Sequence, residues 1–216
     1  MKLAGWLAAA LCCVTTGAVL AQTQPSSRMS GTIVAADAST LTVRPSDGDA
    51  LHVHLAHDVR ISSRAKADWS DIKPGDFIAS TAVPQSDGTL IAKEVRIFAE
   101  SMRGSGEGHY PMQTPGDTMT NATVSRVSGA RPHDTMTNAT VASASQGADH
   151  RMTVTYKGGE KTIVVPPGVP VMRQAPGDRA LLAPGAHVVL TTHRAPDGGL
   201  VADRITVGKD GFTPPL

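Results

Sequence analysis

Residues 74–92 read PGDFIASTAVPQSDGTLIA, and residues 184–202, which lie 110 positions further on, read PGAHVVLTTHRAPDGGLVA. Pro-Gly, Asp-Gly, Leu and Ala recur at the same places in both stretches. In each, two apolar, β-branched runs flank an Asp-Gly pair, which readily takes positive φ and indicates a two-stranded hairpin. The same shift overlays residues 59–97 on 169–207 without a gap. We therefore predict two copies of one small domain.

Each copy has the strand pattern of a small β-barrel. In copy one, short runs at 31–36, 40–44 and 51–55 precede the hairpin, and turn-forming residues separate them. Asp68 can cap a single helical turn that Pro74-Gly75 ends. Copy two repeats this layout with runs at 139–142, 152–156, 162–165, 187–192 and 200–207. Five strands with a short helical element between the third and the fourth are typical of the OB-fold.

The predicted fold class is therefore all-β, with two tandem five-stranded OB-like barrels joined by a connector that contains Gly, Pro and Met. The predicted boundaries are an OB-like domain at 22–98, the connector at 99–133, a second OB-like domain at 134–211 and a tail at 212–216.

The N-terminus predicts export. Lys2 precedes an uncharged stretch over 3–20 that ends in small residues, which is the order of a secretory signal, and we expect cleavage after Ala21. The alternative is an uncleaved membrane anchor. Removal of residues 1–21 takes away both cysteines, Cys12 and Cys13, and leaves 19 basic against 19 acidic residues. We expect a neutral periplasmic or secreted chain without a transmembrane helix, a disulfide or a thiolate metal site.

The residues also resemble a known family. The runs at 30–34, 41–43, 71–76 and 87–92 are similar to an exported bacterial domain-of-unknown-function family with an OB-like β-barrel. The segment at 102–109 and the sequence from 164–167 to 209–211 are similar to its proteobacterial tandem subgroup. The resemblance implies the fold. It implies no activity, ligand or catalytic residue.

Two histidines predict a metal site on the third strand of copy one. Alternation places Leu51 and Val53 towards the core and His52 and His54 side by side on the other face, with His57 nearby. Copy two has Thr and Val at the matching places, so the fold does not require these histidines. Imidazoles in this arrangement suit zinc or copper. The alternative is the polar face of a half-exposed strand.

The connector supplies the second set of candidates, which are Arg103, Glu107, His109 and Tyr110. Interleaved glycines with an arginine can form an anion-binding nest, but no helix pattern follows, as a phosphate loop requires. Thioether and imidazole groups in a chain without thiols also suit copper. The residues concerned are Met102, Met112, Met119, His133 and Met136, together with His109. A linker composition explains the same glycines without any ligand.

Eight residues of the connector occur twice. The sequence Asp-Thr-Met-Thr-Asn-Ala-Thr-Val stands at 117–124 and again at 134–141, 17 positions later. Only one can take the place of the first strand of copy one. We expect the later one to do so, because its distance from the run at 152–156 is closer to the spacing in copy one.

Composition separates the remaining function classes. Aromatic residues are 3% of the chain, and the formal charge of +1 argues against a polyanion held mainly by bulk electrostatics, so nucleic-acid binding is disfavoured. Catalytic motifs such as Gly-x-Ser-x-Gly and His-Glu-x-x-His are absent from the sequence. We predict a non-enzymatic, exported binding or envelope-associated structural module without a cofactor. Its partner is expected to be a small molecule, a glycan or an envelope protein. The alternative is a periplasmic copper- or zinc-binding protein.

Overall fold

The computed structural model describes residues 26–128 and 150–216, and these residues form an all-β structure. Three single-turn 3-10 helices occur in it, at Trp69–Asp71, Glu100–Met102 and Arg179–Leu181. Within these two ranges, no helix has the length and apolar character needed to cross a bilayer. The strands are β1 (Ser27–Ala36), β2 (Thr40–Arg44), β3 (Leu51–Ala67), β4 (Phe77–Pro84), β5 (Leu90–Phe98), β6 (Gly108–Pro111), β7 (Thr118–Ser128), β8 (His150–Tyr156), β9 (Gly159–Val165), β10 (Val171–Pro176), β11 (His187–Arg194) and β12 (Leu200–Gly208).

Five strands close into a barrel, called here the first barrel, in the order β12-β11-β1-β2-β3. Neighbours are antiparallel except for the closing pair, in which β12 runs parallel to β3 with Ile205 opposite Ile61. Alternation along each strand sends one set of apolar side chains inward. These form a buried core that includes Ile33, Leu41, Val43, Val53, Leu190 and Ile205.

A second ring of strands has the order β5-β4-β7-β8-β9, and β5 pairs with β9 in parallel through Leu90 opposite Ile163. It surrounds a core that includes Ile78, Leu90, Val95, Ala122, Met152, Val154 and Ile163. Here β6 pairs only with β7 and extends the sheet outside the ring.

The two repeats exchange their hairpins. The first barrel combines β1–β3 of copy one with β11 and β12 of copy two, and the second ring combines β4 and β5 of copy one with strands that follow them. The expectation that each copy closes a barrel of its own is therefore not confirmed. The cause lies in β3, which continues from Leu51 to Ala67 as one strand of 17 residues. Such a strand spans roughly 55 Å, so it carries the hairpin after it away from the first barrel.

The long strand meets its counterpart at the centre of the molecule. Antiparallel pairing of β3 with β10 places Arg64 opposite Gln174, and these two positions are 110 residues apart. The strands on either side of this pair are equivalent as well. In one, β12 pairs with β3 and Ile205 is opposite Ile61; in the other, β5 pairs with β10 and Val95 is opposite Val171. The sheet is continuous across this pseudo-two-fold centre.

The structure corrects our assignment of the duplicated octapeptide. The earlier copy, at 117–124, forms most of β7 between β4 and β8, with Ala122 and Val124 fully buried. We had expected the later copy, at 134–141, to fill this place. Chain spacing misled the expectation, because the cost of closing a loop grows only slowly with its length. The later copy, His133, Met136 and the predicted signal at 1–21 lie outside the described residues.

Candidate functional site

A groove crosses the outer face of the sheet above the meeting of β3 and β10. It consists of two adjoining cavities of about 600 and 660 Å³, called together the central groove. The two cavities share five of their lining residues, which are Ser62, Arg96, Met119, Gln174 and Arg204. The groove therefore draws side chains from both closed sets of strands.

Positive charge is concentrated in the central groove. Its lining has six basic residues, Arg28, Arg60, Arg64, Lys93, Arg96 and Arg204, but only two acidic ones, Glu94 and Asp117. The whole chain has a formal charge of only +1. Strand pairing explains part of this clustering, because Arg28 is opposite Thr191, Thr191 is opposite Arg204, and Arg204 is opposite Arg60. Three arginines thus stand in one row across four strands.

Arg64 lies at the floor of the groove and is only 6% exposed. Its Nε donates a hydrogen bond of 3.2 Å to Oε1 of Gln174, and among the described residues no carboxylate lies within 4.0 Å of it. Burial, aided by the nearby charges of Arg96 and Arg28 and opposed by Glu94, lowers the pKa of Arg64 to about 10. The folded chain therefore bears the cost of a buried cation that has no counter-ion.

Both acidic groups of the groove already have partners. Asp117, 8% exposed, accepts hydrogen bonds of 2.6 and 2.9 Å from Nζ of Lys93. Glu94 Oε1 lies 2.7 Å from Nε of Arg96. That separation is the distance of an ion pair, but the N–H does not point at the oxygen, and the buried Nε has no hydrogen-bond partner. The acids therefore neutralise Lys93 and Arg96 and leave Arg64 unpaired.

The side of the groove next to β6 and β7 is apolar. Phe98, Met102, Tyr110 and Met119 line one cavity, and Met112 joins Met119 in the other. Tyr110 is opposite Met119 across the β6–β7 pair and is 42% exposed. Asn121 fixes the turn beside them by donating from Nδ2 to the carbonyl oxygens of Ser105 and Gly106. The apolar groups thus come from β5 to β7 and the segments between them, whereas Arg28, Arg60, Arg64 and Arg204 come from the first barrel.

The cationic residues are not part of the repeated scaffold. A shift of 110 positions places Arg64 on Gln174, Glu94 on Arg204 and Arg96 on Thr206. The fold tolerates an amide, a carboxylate or a hydroxyl at these places, so it does not require the arginines. Differences in charge between the copies were visible in the sequence and could have found this site, but our sequence analysis singled out none of these arginines.

Of the four connector candidates Arg103, Glu107, His109 and Tyr110, only Tyr110 lines the central groove. Arg103 is bound to Glu100 at 2.6 Å and donates to the carbonyl oxygen of Gly75 at 2.8 Å, so it ties the connector to the turn before β4. Glu107 accepts a hydrogen bond of 3.0 Å from the Lys157 N–H. His109 Nδ1 lies 2.9 Å from Oγ1 of Thr120, and burial, with a smaller effect of Lys161, lowers the pKa of His109.

The strand histidines lie apart from this groove. His52 and His54 are exposed, and their Nδ1 atoms lie 3.3 Å from the hydroxyls of Thr42 and Thr40 respectively. His57 is also exposed on β3. In the part of the chain that the structure describes, no three His, Cys, Asp or Glu side chains are grouped to hold a metal ion. Of the methionines, Met102 and Met119 line one cavity of the groove and Met112 and Met119 the other, and Nη2 of Arg96 lies 3.6 Å from the sulfur of Met119.

No family model, curated protein or solved structure matches this chain.

Proposed function

We propose that this chain is an exported, non-enzymatic binding module that takes up an anionic ligand in the central groove. In this proposal the first barrel and the second ring are two OB-like barrels that together build the site. The single observation that carries it is Arg64, a side chain 94% buried at the groove floor without a carboxylate partner in the described residues. A bound anion would supply the missing counter-charge.

The chemistry of the lining supports binding of a carboxylate, phosphate or sulfate group. A guanidinium presents its N–H donors in a fixed planar fork that fits two oxygens of such a group. Gln174 holds Nε of Arg64, which leaves the other nitrogens to the groove. Each cavity is also within the range of roughly 300–1,000 Å³ that is usual for small-molecule sites. We therefore favour a small molecule over a glycan or an envelope protein as the partner.

The same lining supports a binding role over a catalytic one. The side chains that meet there are guanidinium, ammonium, amide, hydroxyl, phenol and thioether groups, and the two carboxylates, Asp117 and Glu94, are already held by Lys93 and Arg96. Even at the lowered pKa of about 10, Arg64 stays protonated at neutral pH, so it donates hydrogen bonds and does not exchange protons.

Calorimetric titration of the purified mature protein with sodium sulfate and sodium phosphate at low ionic strength tests this proposal. Arg64→Gln should weaken binding by about 10- to 100-fold, the usual effect of losing hydrogen bonds to a charged group. Arg126→Gln is the matched control, since Arg126 is exposed on β7 and does not line the groove. Absence of anion binding, or an equal loss in both variants, would overturn the proposal.

A further inference from the structure

We propose that the ligand is an amphiphilic anion, with one carboxylate, sulfate or phosphate head at Arg64 and an apolar tail along the methionine and aromatic side of the groove. This inference rests on the proposed function and adds the chemical class of the ligand. Equivalent strands of the two repeats form the two halves of the groove, but the side chains of the two halves differ in chemistry, and the inference rests on this difference.

Equivalent rows of the two halves have different chemistry. In the first barrel, one row across β1, β11 and β12 consists of Arg28, Thr191 and Arg204. The corresponding row across β7, β4 and β5 consists of Met119, Thr81 and Glu94. A methionine thus replaces one arginine, and an acid that is already paired with Arg96 replaces the other. One half attracts an anionic group, and the other offers it no free cation.

The apolar half is built to receive a flexible chain. Methionine side chains are unbranched and polarisable, so they adapt to a tail of variable shape. Met102, Met112 and Met119 are all partly exposed along the groove. Phe98 gives this surface a fixed plane, since its ring stacks on Phe77 with centroids 5.6 Å apart. Apolar surface gathered in a concave site of this kind is typical of small-molecule binding.

A ligand with charges at regular intervals fits these observations less well. On the strands of the second ring the groove offers Met119, Phe98 and Glu94, and the two cations there, Lys93 and Arg96, are already paired with Asp117 and Glu94. The exposed arginines of the lining, Arg28, Arg60 and Arg204, all lie on strands of the first barrel. A single charged end therefore matches the groove.

The test is a titration with a homologous series: acetate, butanoate, hexanoate and octanoate, with octanamide as the uncharged counterpart. We expect affinity to rise about three- to fourfold for each methylene that enters the groove, as for transfer of a methylene out of water. Octanamide should bind at least tenfold more weakly than octanoate. Met119→Gln should reduce the gain per methylene, and so weaken octanoate binding more than acetate or sulfate binding, whereas Leu51→Gln, at an exposed apolar residue outside the groove, should change neither.

Each outcome separates this inference from the proposed function. If sulfate and all four carboxylates bind with equal affinity and Arg64→Gln weakens the binding of each, the inference of an amphiphilic ligand is overturned and the proposed anion site stands. If octanoate binding survives Arg64→Gln unchanged, the assignment of the head to Arg64 is overturned. If none of the probes binds to a protein whose circular dichroism shows it to be folded, both proposals are overturned.

Discussion

Arg64 and Gln174 face each other across β3 and β10, and they are the same position of the two repeats. The Nε of one donates to the Oε1 of the other at 3.2 Å. The pseudo-two-fold centre of the sheet therefore passes between a cation and a neutral amide. This one difference makes the site asymmetric at the point where the fold is most symmetric.

We predict that Arg64→Met stabilises the protein while it weakens anion binding. Burial lowers the pKa of Arg64 to about 10 in the folded chain, so the charged form is penalised only there. At pH 7 the group is protonated in both states and the full penalty applies; it is relieved only as the pH rises from about 10 towards the ordinary pKa of an arginine. The free energy of unfolding, measured in urea, should rise by about 1–3 kcal/mol.

Arg126→Met serves as the control for that measurement, because its exposed side chain carries no such penalty. It should change the urea midpoint little. A fall in stability for Arg64→Met would contradict the assignment of Arg64 as a buried cation without a counter-ion.

The duplicated octapeptide provides a matched pair of variants. Ala122 of the earlier copy is 0% exposed in the core of the second ring. Ala122→Asp should cost more than about 3 kcal/mol, because it buries a charge without a partner. Ala139→Asp makes the same change in the later copy, and we expect it to lower the thermal unfolding midpoint less, because the earlier copy forms β7. The reverse order of the two effects would show that the later copy occupies β7.

The exchange of hairpins predicts how the chain behaves when it is divided. Fragments 22–104 and 105–216, produced together, should associate one to one, because each closed set of strands needs a hairpin from one fragment and strands from the other. Size-exclusion chromatography with light scattering gives the mass. Neither fragment alone should give the heterodimer's cooperative unfolding transition. Two fragments that each fold alone and do not associate would contradict the observed topology.

Acid should weaken the protein through His109. Burial lowers its pKa below the ordinary 6.5, so the unfolded chain takes up a proton at a higher pH than the folded chain does. The contribution of His109 to stability is therefore lost as the pH falls from 6.5 towards the folded-state pKa. His109→Gln should flatten the decline of the melting temperature in this window.

A second acid window provides an internal control for the histidine variant. Below pH 3.8 the carboxyl groups take up protons, and among them Asp71 does so late because the Asp68 N–H lowers its pKa. Its stabilising contribution is present above its unfolded-state value and is lost as the pH falls through the folded one. The decline in that range should be the same with and without His109→Gln. An unchanged slope above pH 5 in the variant would rule out a role for His109.

Local sequence predicted the strands well and their partners poorly. The run at 40–44 matches β2 and the run at 152–156 lies within β8, since alternation and turn residues act within a few positions. The hairpins β4–β5 and β11–β12 have nearly the same pattern of apolar residues, so the sequence alone allows either hairpin to complete the core of the first barrel or of the second ring. Nothing local distinguishes the exchanged arrangement from the unexchanged one.

The candidate site could not be predicted from local sequence patterns, for a related reason. Ser62, Ser63 and Arg64 form a polar run, and nothing in that run indicates burial. They are covered only because β10 pairs with β3 over a sequence distance of about 110 residues. His52 and His54 drew attention because they are close in sequence, while the arginines of the groove come together only because β11 joins β1 to β12, β12 pairs with β3, and β10 joins β3 to β5.

Two identical halves that shared this architecture as separate molecules would have to place the same residue on both sides of their axis. An arginine at position 64 would then face a second arginine, and two like charges would be buried against each other. Covalent linkage of the halves removes that constraint, because each half can change on its own. A fused chain can therefore have, on the axis itself, a binding site whose two ends differ in chemistry, whereas a symmetric dimer cannot.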